Sequence, residues 1–408
     1  MAVVRRRILA VVVVGVVGAS GAAASPAGSS KSQLATKLAK ALAVPHVPSR
    51  RSGAAAVDLA TGGTVFLRHP TLSLVPASNA KLAVAYSTLK LLGPDYRIDT
   101  TVYGEGEQIG GTWKGDLVLK GYGDPTLSLG DLRSLARQIR AAGIRRVTGG
   151  VETDESYFDA RRTGPAWRSW YYLNESAPLS ALTVDRARFR GWMTRDPALS
   201  AGKQFRFALR AAGVAVRGRV AAGAVGEWAE ELATTESAPL SRIVAYMNRE
   251  SDNFTAEILL KQLGATERAP GTSATGAKVV RRILREAAIP LSGVRIVDGS
   301  GLSSANRLTA AAVIGILVVA WHDPAIRPSF VHSLAVAGVN GTLEDRMETP
   351  PARGSVLAKT GTLPGSSALS GYARGRWAFA VIQNGRPLSV YWARRAQDRF
   401  ASVLARAQ

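Results

Sequence analysis

The chain has 408 residues, 46% hydrophobic and 20% charged, which is enough apolar matter for two or three domains and excludes wholesale disorder. It has no cysteine, which excludes a disulfide framework, a cysteine zinc site and a thiol nucleophile, and its four histidines argue against a histidine-rich metal centre. Lys and Arg outnumber Asp and Glu by 52 to 30, a net charge of +22 that suits association with an anionic envelope surface; the basic residues are scattered without interleaved aromatics, and no nucleic-acid-binding signature stands out, so a nucleic-acid partner is not expected.

In chain order, Arg5, Arg6 and Arg7 precede an uncharged apolar run over 8–17, and small residues follow to Ala24. This is the basic, apolar and A-x-A-like sequence of an export signal, so residues 1–25 are expected to be a signal peptide cleaved near Ala24 and the protein to be extracytoplasmic. The unbroken apolar run falls short of the roughly 20 residues of a membrane span; Gly18 to Ala24 can extend it, which leaves an uncleaved anchor as the alternative. Residues 25–51 read as a tether leading into a helix over 33–42. Strands are expected over 54–58 and 63–68 about the turn 59–62. Pro76 opens a helix running to about residue 92, where Gly93-Pro94 stops it. A strand at 116–120, a helix at 131–142, a strand at 147–153, a helix at 205–212 and a strand at 214–219 follow, with a Trp- and Tyr-rich loop over 167–172. Helices are expected at 240–248, 254–263 and 278–288. Residues 309–321 are the most apolar internal stretch, too short to span a membrane, and read as a buried core helix. Residues 355–359, 370–373 and 377–383 read as adjacent antiparallel strands, and a helix over 391–407 closes the chain. The pattern is α+β: helices on an antiparallel sheet, with a mixed α/β insertion in the middle.

Three short patterns carry chemistry. In Ser78-Asn79-Ala80-Lys81, residues three apart on a helix share a face, so Ser78 Oγ and Lys81 Nζ can converge. A serine hydroxyl needs a base to become a nucleophile, and a lysine serves if burial or a nearby cation lowers its pKa. Ser78 also sits in the first helical turn, where free N–H groups favour negative charge. In Ser251-Asp252-Asn253 a hydroxyl stands beside an amide, able to relay a proton and to hold a substrate carbonyl. Asp252 is read as solvated in preference to positioning the loop. In Lys359-Thr360-Gly361-Thr362, a cation and two hydroxyls on a strand suit a carboxylate-bearing peptide. Gly361 lets a substrate backbone lie close, and the N–H groups of Thr362 and Ser78 can bind an oxyanion. Taken singly, each pattern has a plainer reading: a capping serine with a surface lysine, a helix N-cap, an uninformative tripeptide. Their occurrence together, in this order, is what S-x-x-K, S-D-N and K-T-G signify in class A β-lactamases and penicillin-binding proteins. His69 is near Ser78 in sequence, but it stands at a strand end before Pro70 and no G-x-S-x-G surrounds Ser78, so a Ser-His-Asp triad is not expected.

Further stretches extend the likeness: SAPLSRIVAYMNRESDN over 237–253, DGSGLS over 298–303, AGVNGTLED over 337–345, AKTGTL over 358–363, LSGY over 369–372 and GYGDPTL over 121–127. With these the chain resembles the D-alanyl-D-alanine carboxypeptidase/endopeptidase family, the class C low-molecular-mass penicillin-binding proteins, from about Gly53 to the C-terminus. Ser251 follows Ser78 only after about 170 residues, far more than a class A β-lactamase holds there. The resemblance implies an inserted domain over 97–236, with 26–96 and 237–408 forming the serine peptidase domain; many members carry a longer insert with a further nested domain, for which this chain is too short. It further implies acylation of Ser78 with Lys81 as base, Ser251 passing a proton to the leaving amine, Asn253 orienting Lys81 and the substrate amide, Lys359 supplying positive potential, and Thr360 and Thr362 binding the terminal carboxylate beside Gly361. The implied substrates are peptidoglycan stem peptides, the implied inhibitors β-lactams, and no metal or organic cofactor is required. Two rivals share the motifs: a β-lactamase or esterase on the same scaffold, and a non-catalytic peptidoglycan-binding envelope protein. The sequence divides neither carboxypeptidase from endopeptidase activity nor one oligomeric state from another.

Overall fold

The computed structural model describes residues 26–189, 191–267 and 270–407, so the signal-peptide expectation for 1–25 lies outside the described residues. Six strands form one antiparallel sheet in the order Ala335–Val336, Val356–Leu363, Ser366–Ala373, Trp377–Asn384, Ser52–Asp58, Thr64–Arg68. Its central strand Ser366–Ala373 is buried along its whole length, which its small residues permit, because helices cover both faces of the sheet. One face carries helices Ala80–Leu92, Leu240–Arg249, Asn253–Ala265, Ser273–Glu286 and Ala310–His322; the other carries Pro26–Ala41 and Val390–Arg406. Helix Ala310–His322 starts where the Thr309 hydroxyl accepts the Ala312 N–H, and its apolar run is core, as its composition implies. Among the described residues no helix is long and apolar enough to cross a membrane.

A second sheet of seven strands lies wholly within 99–236. Strands Glu230–Glu236, Asp99–Ile109 and Thr112–Gly121 pair antiparallel; Val151–Asp154, Val220–Ala222, Arg146–Val147 and Ala215–Val216 continue it in parallel. Helices Leu129–Ala141 and Pro197–Ala211 share a core of their own with this sheet. The first is opened by a capping box between Ser128 and Asp131.

Several expected elements differ in extent. The strand expected over 147–153 is two short strands, because Gly149-Gly150 turns between them and both N–H groups bond Gly115–Asp116. The helix expected over 205–212 begins at Pro197, where the Asp196 carboxylate accepts the Leu199 N–H and proline takes a first-turn position that needs no donor. The strand expected over 214–219 is only Ala215–Val216, and the first helix starts at Pro26 in place of residue 33.

Candidate active site

Ser78 sits in a single 3-10 turn, Ala77–Asn79, that runs directly into helix Ala80–Leu92. Ala77 holds a left-handed φ of 48°, a conformation an alanine adopts only when its surroundings impose it. Two glycines supply those surroundings. A Cβ on Gly301, itself at φ 85°, would overlap the Ala77 carbonyl, and a Cβ on Gly361 would lie 2.8 Å from the Pro76 oxygen and 3.1 Å from the Ser78 nitrogen. The strand therefore approaches the Ala77–Asn79 turn itself at Gly361, a closer requirement than the substrate approach expected there. Asn79 ties the turn to the sheet by donating to Ser370 Oγ at 2.7 Å.

One helical turn on, Lys81 is fully buried, and its Nζ lies 3.1 Å from Ser78 Oγ, 2.8 Å from Asn253 Oδ1 and 2.5 Å from the Ser300 carbonyl oxygen. Three acceptors satisfy an ammonium. In the free amine, the two N–H groups bond Asn253 and Ser300, which leaves the lone pair for the Ser78 hydroxyl proton. Burial lowers the Lys81 pKa to about 8, against the opposing pull of the Asp252, Asp298, Glu257 and Glu175 carboxylates.

Ser251 has a left-handed φ of 57° and accepts a 2.8 Å hydrogen bond from Lys359 Nζ, which also donates to the Thr360 carbonyl at 3.0 Å. Lys359 is fully buried; burial first, then the Lys81 charge, pushes its pKa well below the ordinary lysine value. Asn253 is the first residue of helix Asn253–Ala265, and its amide orientation is fixed from both ends, since Nδ2 donates to the Glu175 carbonyl at 2.9 Å. Ser78, Lys81 and Asn253 thus form one hydrogen-bonded group and Ser251 and Lys359 a second, near enough for the Lys81 charge to act on Lys359. The remaining pair stands apart: Thr360 and Thr362 lie on the strand face opposite Lys359 and Gly361, where Thr360 donates to Thr342 Oγ1 at 2.8 Å and exposed Thr362 accepts from Arg394 at 3.5 Å. The neighbouring edge strand pairs only with residues 357 and 358, so the edge from Lys359 onward is unpaired on that side.

Asp252 is not a solvated side chain, contrary to expectation. One oxygen caps its helix by accepting the Thr255 N–H at 2.7 Å, and the other pairs with Arg186 at 2.5 Å. Burial alone would raise its pKa, but the Arg186 hydrogen bond and charge and the Thr255 donors outweigh it and hold the carboxyl below its usual range. His69 is exposed, with Nδ1 3.1 Å from the Ser52 carbonyl, and takes no part in the chain of contacts around Ser78.

Several residues around the site carry no motif that sequence reasoning used. Arg186 stacks on Tyr246 and Phe254, Trp167 Nε1 donates to Asp298 at 2.8 Å, and Lys261, fully buried on helix Asn253–Ala265, pairs with Asp159. With Glu175, these contacts bring the stretch 159–186 against helix Asn253–Ala265. Glu257 and Asp298 are buried carboxyl groups beneath Lys81. DGSGLS was noticeable as a stretch, but its role depends on contacts that no local pattern reveals.

The sequence profile described as the D-Ala-D-Ala carboxypeptidase 3 (S13) family matches residues 34–195 and 191–407. The chain belongs to this family. It is 32% identical to a D-alanyl-D-alanine carboxypeptidase of Actinomadura sp. (strain R39), over 98% of this chain and 90% of that protein. Its fold matches penicillin-binding protein 4 of Haemophilus influenzae with a TM-score of 0.77 at 21% identity, over 91% of this chain and 99% of that one. The same protein complexed with a β-lactam matches at 0.73 and 19% identity, over 89% of this chain and 98% of that one. As an S13 member, the chain is a serine-type D-Ala-D-Ala carboxypeptidase of the low-molecular-mass penicillin-binding class, which acts on the cell wall and outside the cytoplasm.

Proposed function

We propose that this S13 carboxypeptidase works through an acyl-enzyme on Ser78, with Lys81 and Ser251 moving the protons and Asn253 and Lys359 positioning and charging the site. The carrying observation is that Lys81 Nζ, buried and with a lowered pKa, lies 3.1 Å from Ser78 Oγ while Asn253 and Ser300 occupy its other positions. Lys81 takes the Ser78 proton as Oγ attacks the carbonyl carbon between two D-alanines. The N–H groups of Ser78 and Thr362 receive the oxyanion. The C–N bond then breaks as Ser251 gives its proton to the leaving amine; the proton that Lys81 took from Ser78 restores the Ser251 hydroxyl, while Lys359, its 2.8 Å partner, supplies positive potential. Lys81, again a free amine, takes a proton from the water that adds to the ester carbonyl and returns it to Ser78 Oγ as the ester C–O bond breaks. Asn253 holds Lys81 and the substrate amide. The unpaired strand edge from Lys359 accepts the substrate backbone, Gly361 keeps that strand close to Ser78, and the Thr360 and Thr362 hydroxyls bind the terminal carboxylate by turning from Thr342 and Arg394.

The substrates on this reading are peptidoglycan stem peptides, and β-lactams acylate the same oxygen in place of the scissile amide. Family membership supports a peptidase over a β-lactamase or a relic that only binds. Digestion of purified muropeptides with mass analysis tests it: loss of one alanine marks the carboxypeptidase, monomers released from cross-linked dimers mark endopeptidase activity, and no cleavage by penicillin-reactive protein refutes it.

We also assign 97–236 to an inserted domain, 26–96 with 237–408 to the peptidase domain, and 1–25 to an export signal. Association with an anionic envelope surface is best supported at one end of the insertion. There strands Arg146–Val147 and Ala215–Val216 pair and bring exposed Arg145, Arg146 and Arg217 beside Arg140 and Arg210 at the ends of two helices, and among the described residues none of the five is in an ion pair.

A further inference from the structure

Glu257 stands one turn after Asn253 on the same helix and is fully buried. Its Oε1 accepts the N–H of Gly299 at 2.9 Å and of Ser300 at 2.8 Å. Ser300 in turn offers its carbonyl to Lys81 Nζ at 2.5 Å. One helix therefore grips the lysine twice, directly through Asn253 Oδ1 and indirectly through the Gly299–Ser300 backbone. We propose that Glu257 is a positioning residue for the general base: by holding the Gly299–Ser300 backbone, it fixes the carbonyl that aims Lys81 Nζ at Ser78.

The neighbouring carboxyl has a contrasting environment. Asp298 accepts from Ser300 Oγ at 3.1 Å, Gly301 N at 2.9 Å, Ser303 N at 2.7 Å, Trp167 Nε1 at 2.8 Å and Asn306 Nδ2. Five donors suit an ionised group. Among the described residues Glu257 has donors on one oxygen only, and its buried Oε2 has no partner. Burial, then the Asp298 charge, push its pKa up to about 8. At neutral pH the carboxyl carries its proton and keeps its acceptor oxygen on the turn. Only when it ionises does it add its own pull to that of the Asp252, Asp298 and Glu175 carboxylates, stabilising the Lys81 ammonium and withholding the base. The charged groups that face it are Asp298, Lys81 and, one turn on, Lys261.

This inference rests on the acyl-enzyme reading, and the experiment separates the two. Acylation by a fluorescent penicillin is timed from pH 6 to 9 for wild type, Glu257→Gln, Glu257→Ala and Ser78→Ala, each rate referred to the fraction of protein that finally labels. Glutamine keeps an uncharged acceptor, so Glu257→Gln stays within about threefold of wild type at pH 7. Glu257→Ala slows at least about tenfold, and the pH midpoint of its acid limb moves. A role in folding alone lowers the labelled fraction or the melting temperature and leaves that midpoint in place, which overturns the proposal. So does wild-type acylation by Glu257→Ala, or a tenfold loss in Glu257→Gln, the latter decisive even where the alanine variant does not fold. Stoichiometric labelling of Ser78→Ala instead overturns the acyl-enzyme reading itself.

Discussion

Lowering the pH from 8 to 6 is expected to slow acylation of Ser78 about fiftyfold, because the free amine of a lysine titrating near 8 falls from about half to about one part in a hundred. The sign follows from the direction of the shift. Burial depresses the Lys81 pKa, the reactive form is the deprotonated one, and the rate rises with pH until that form saturates. The structure places the midpoint between two familiar values: a solvated lysine would give a limb near 10.4, and a histidine base one near 6.5. Stopped-flow acylation by a chromogenic cephalosporin under pseudo-first-order conditions reads the limb directly, before deacylation intervenes. Below the midpoint the slope approaches about tenfold per pH unit. A flat profile from 6 to 9, or a midpoint near 6.5 that moves in His69→Ala, would refute Lys81 as the base. Lys81→Arg keeps a cation that cannot deprotonate, and its acylation should be lost at every pH in the range.

Gly301→Ala should slow acylation at least about tenfold, read by gel labelling, because φ 85° and the overlap of a Cβ with the Ala77 carbonyl displace the nucleophile turn. Arg186→Ala removes a charged partner from the half-buried Asp252 cap and should cost about 2 kcal/mol in denaturant unfolding, where a change under 0.5 kcal/mol would contradict the assigned role. The triple variant Arg145→Glu, Arg146→Glu, Arg217→Glu should lose salt-sensitive retention on a poly(glycerol phosphate) column while acylating normally; unchanged retention would remove the anionic-surface assignment.

How far the sequence carries depends on whether the information is local. Ser78 and Lys81 are legible because helical spacing alone brings them together, and the flanking Pro76 and Gly93 mark the helix. The buried strands 356–384 are legible from short apolar runs separated by tight turns. Asp196-Pro197 is an ordinary helix start, but the apolar period becomes clear only from Phe205 onward, so the pattern alone marks only the second half of the helix. Asp252 shows a different boundary. Its capping role is written in its own sequence position, but its charge partner Arg186 comes from the insertion and stands at a left-handed φ that nothing local to it predicts. Glu257, Ser300 and Trp167 are hidden for the same reason: each acts through a contact with a segment more than 40 residues away.

Peptide mapping of the penicillin-treated protein locates the acylated oxygen. Because buried Lys81 reaches the Ser78 hydroxyl whereas Lys359 donates to Ser251, a single penicilloyl adduct is predicted on the peptide containing Ser78, absent from Ser78→Ala. An adduct on any other peptide, or one that persists in Ser78→Ala, would contradict it.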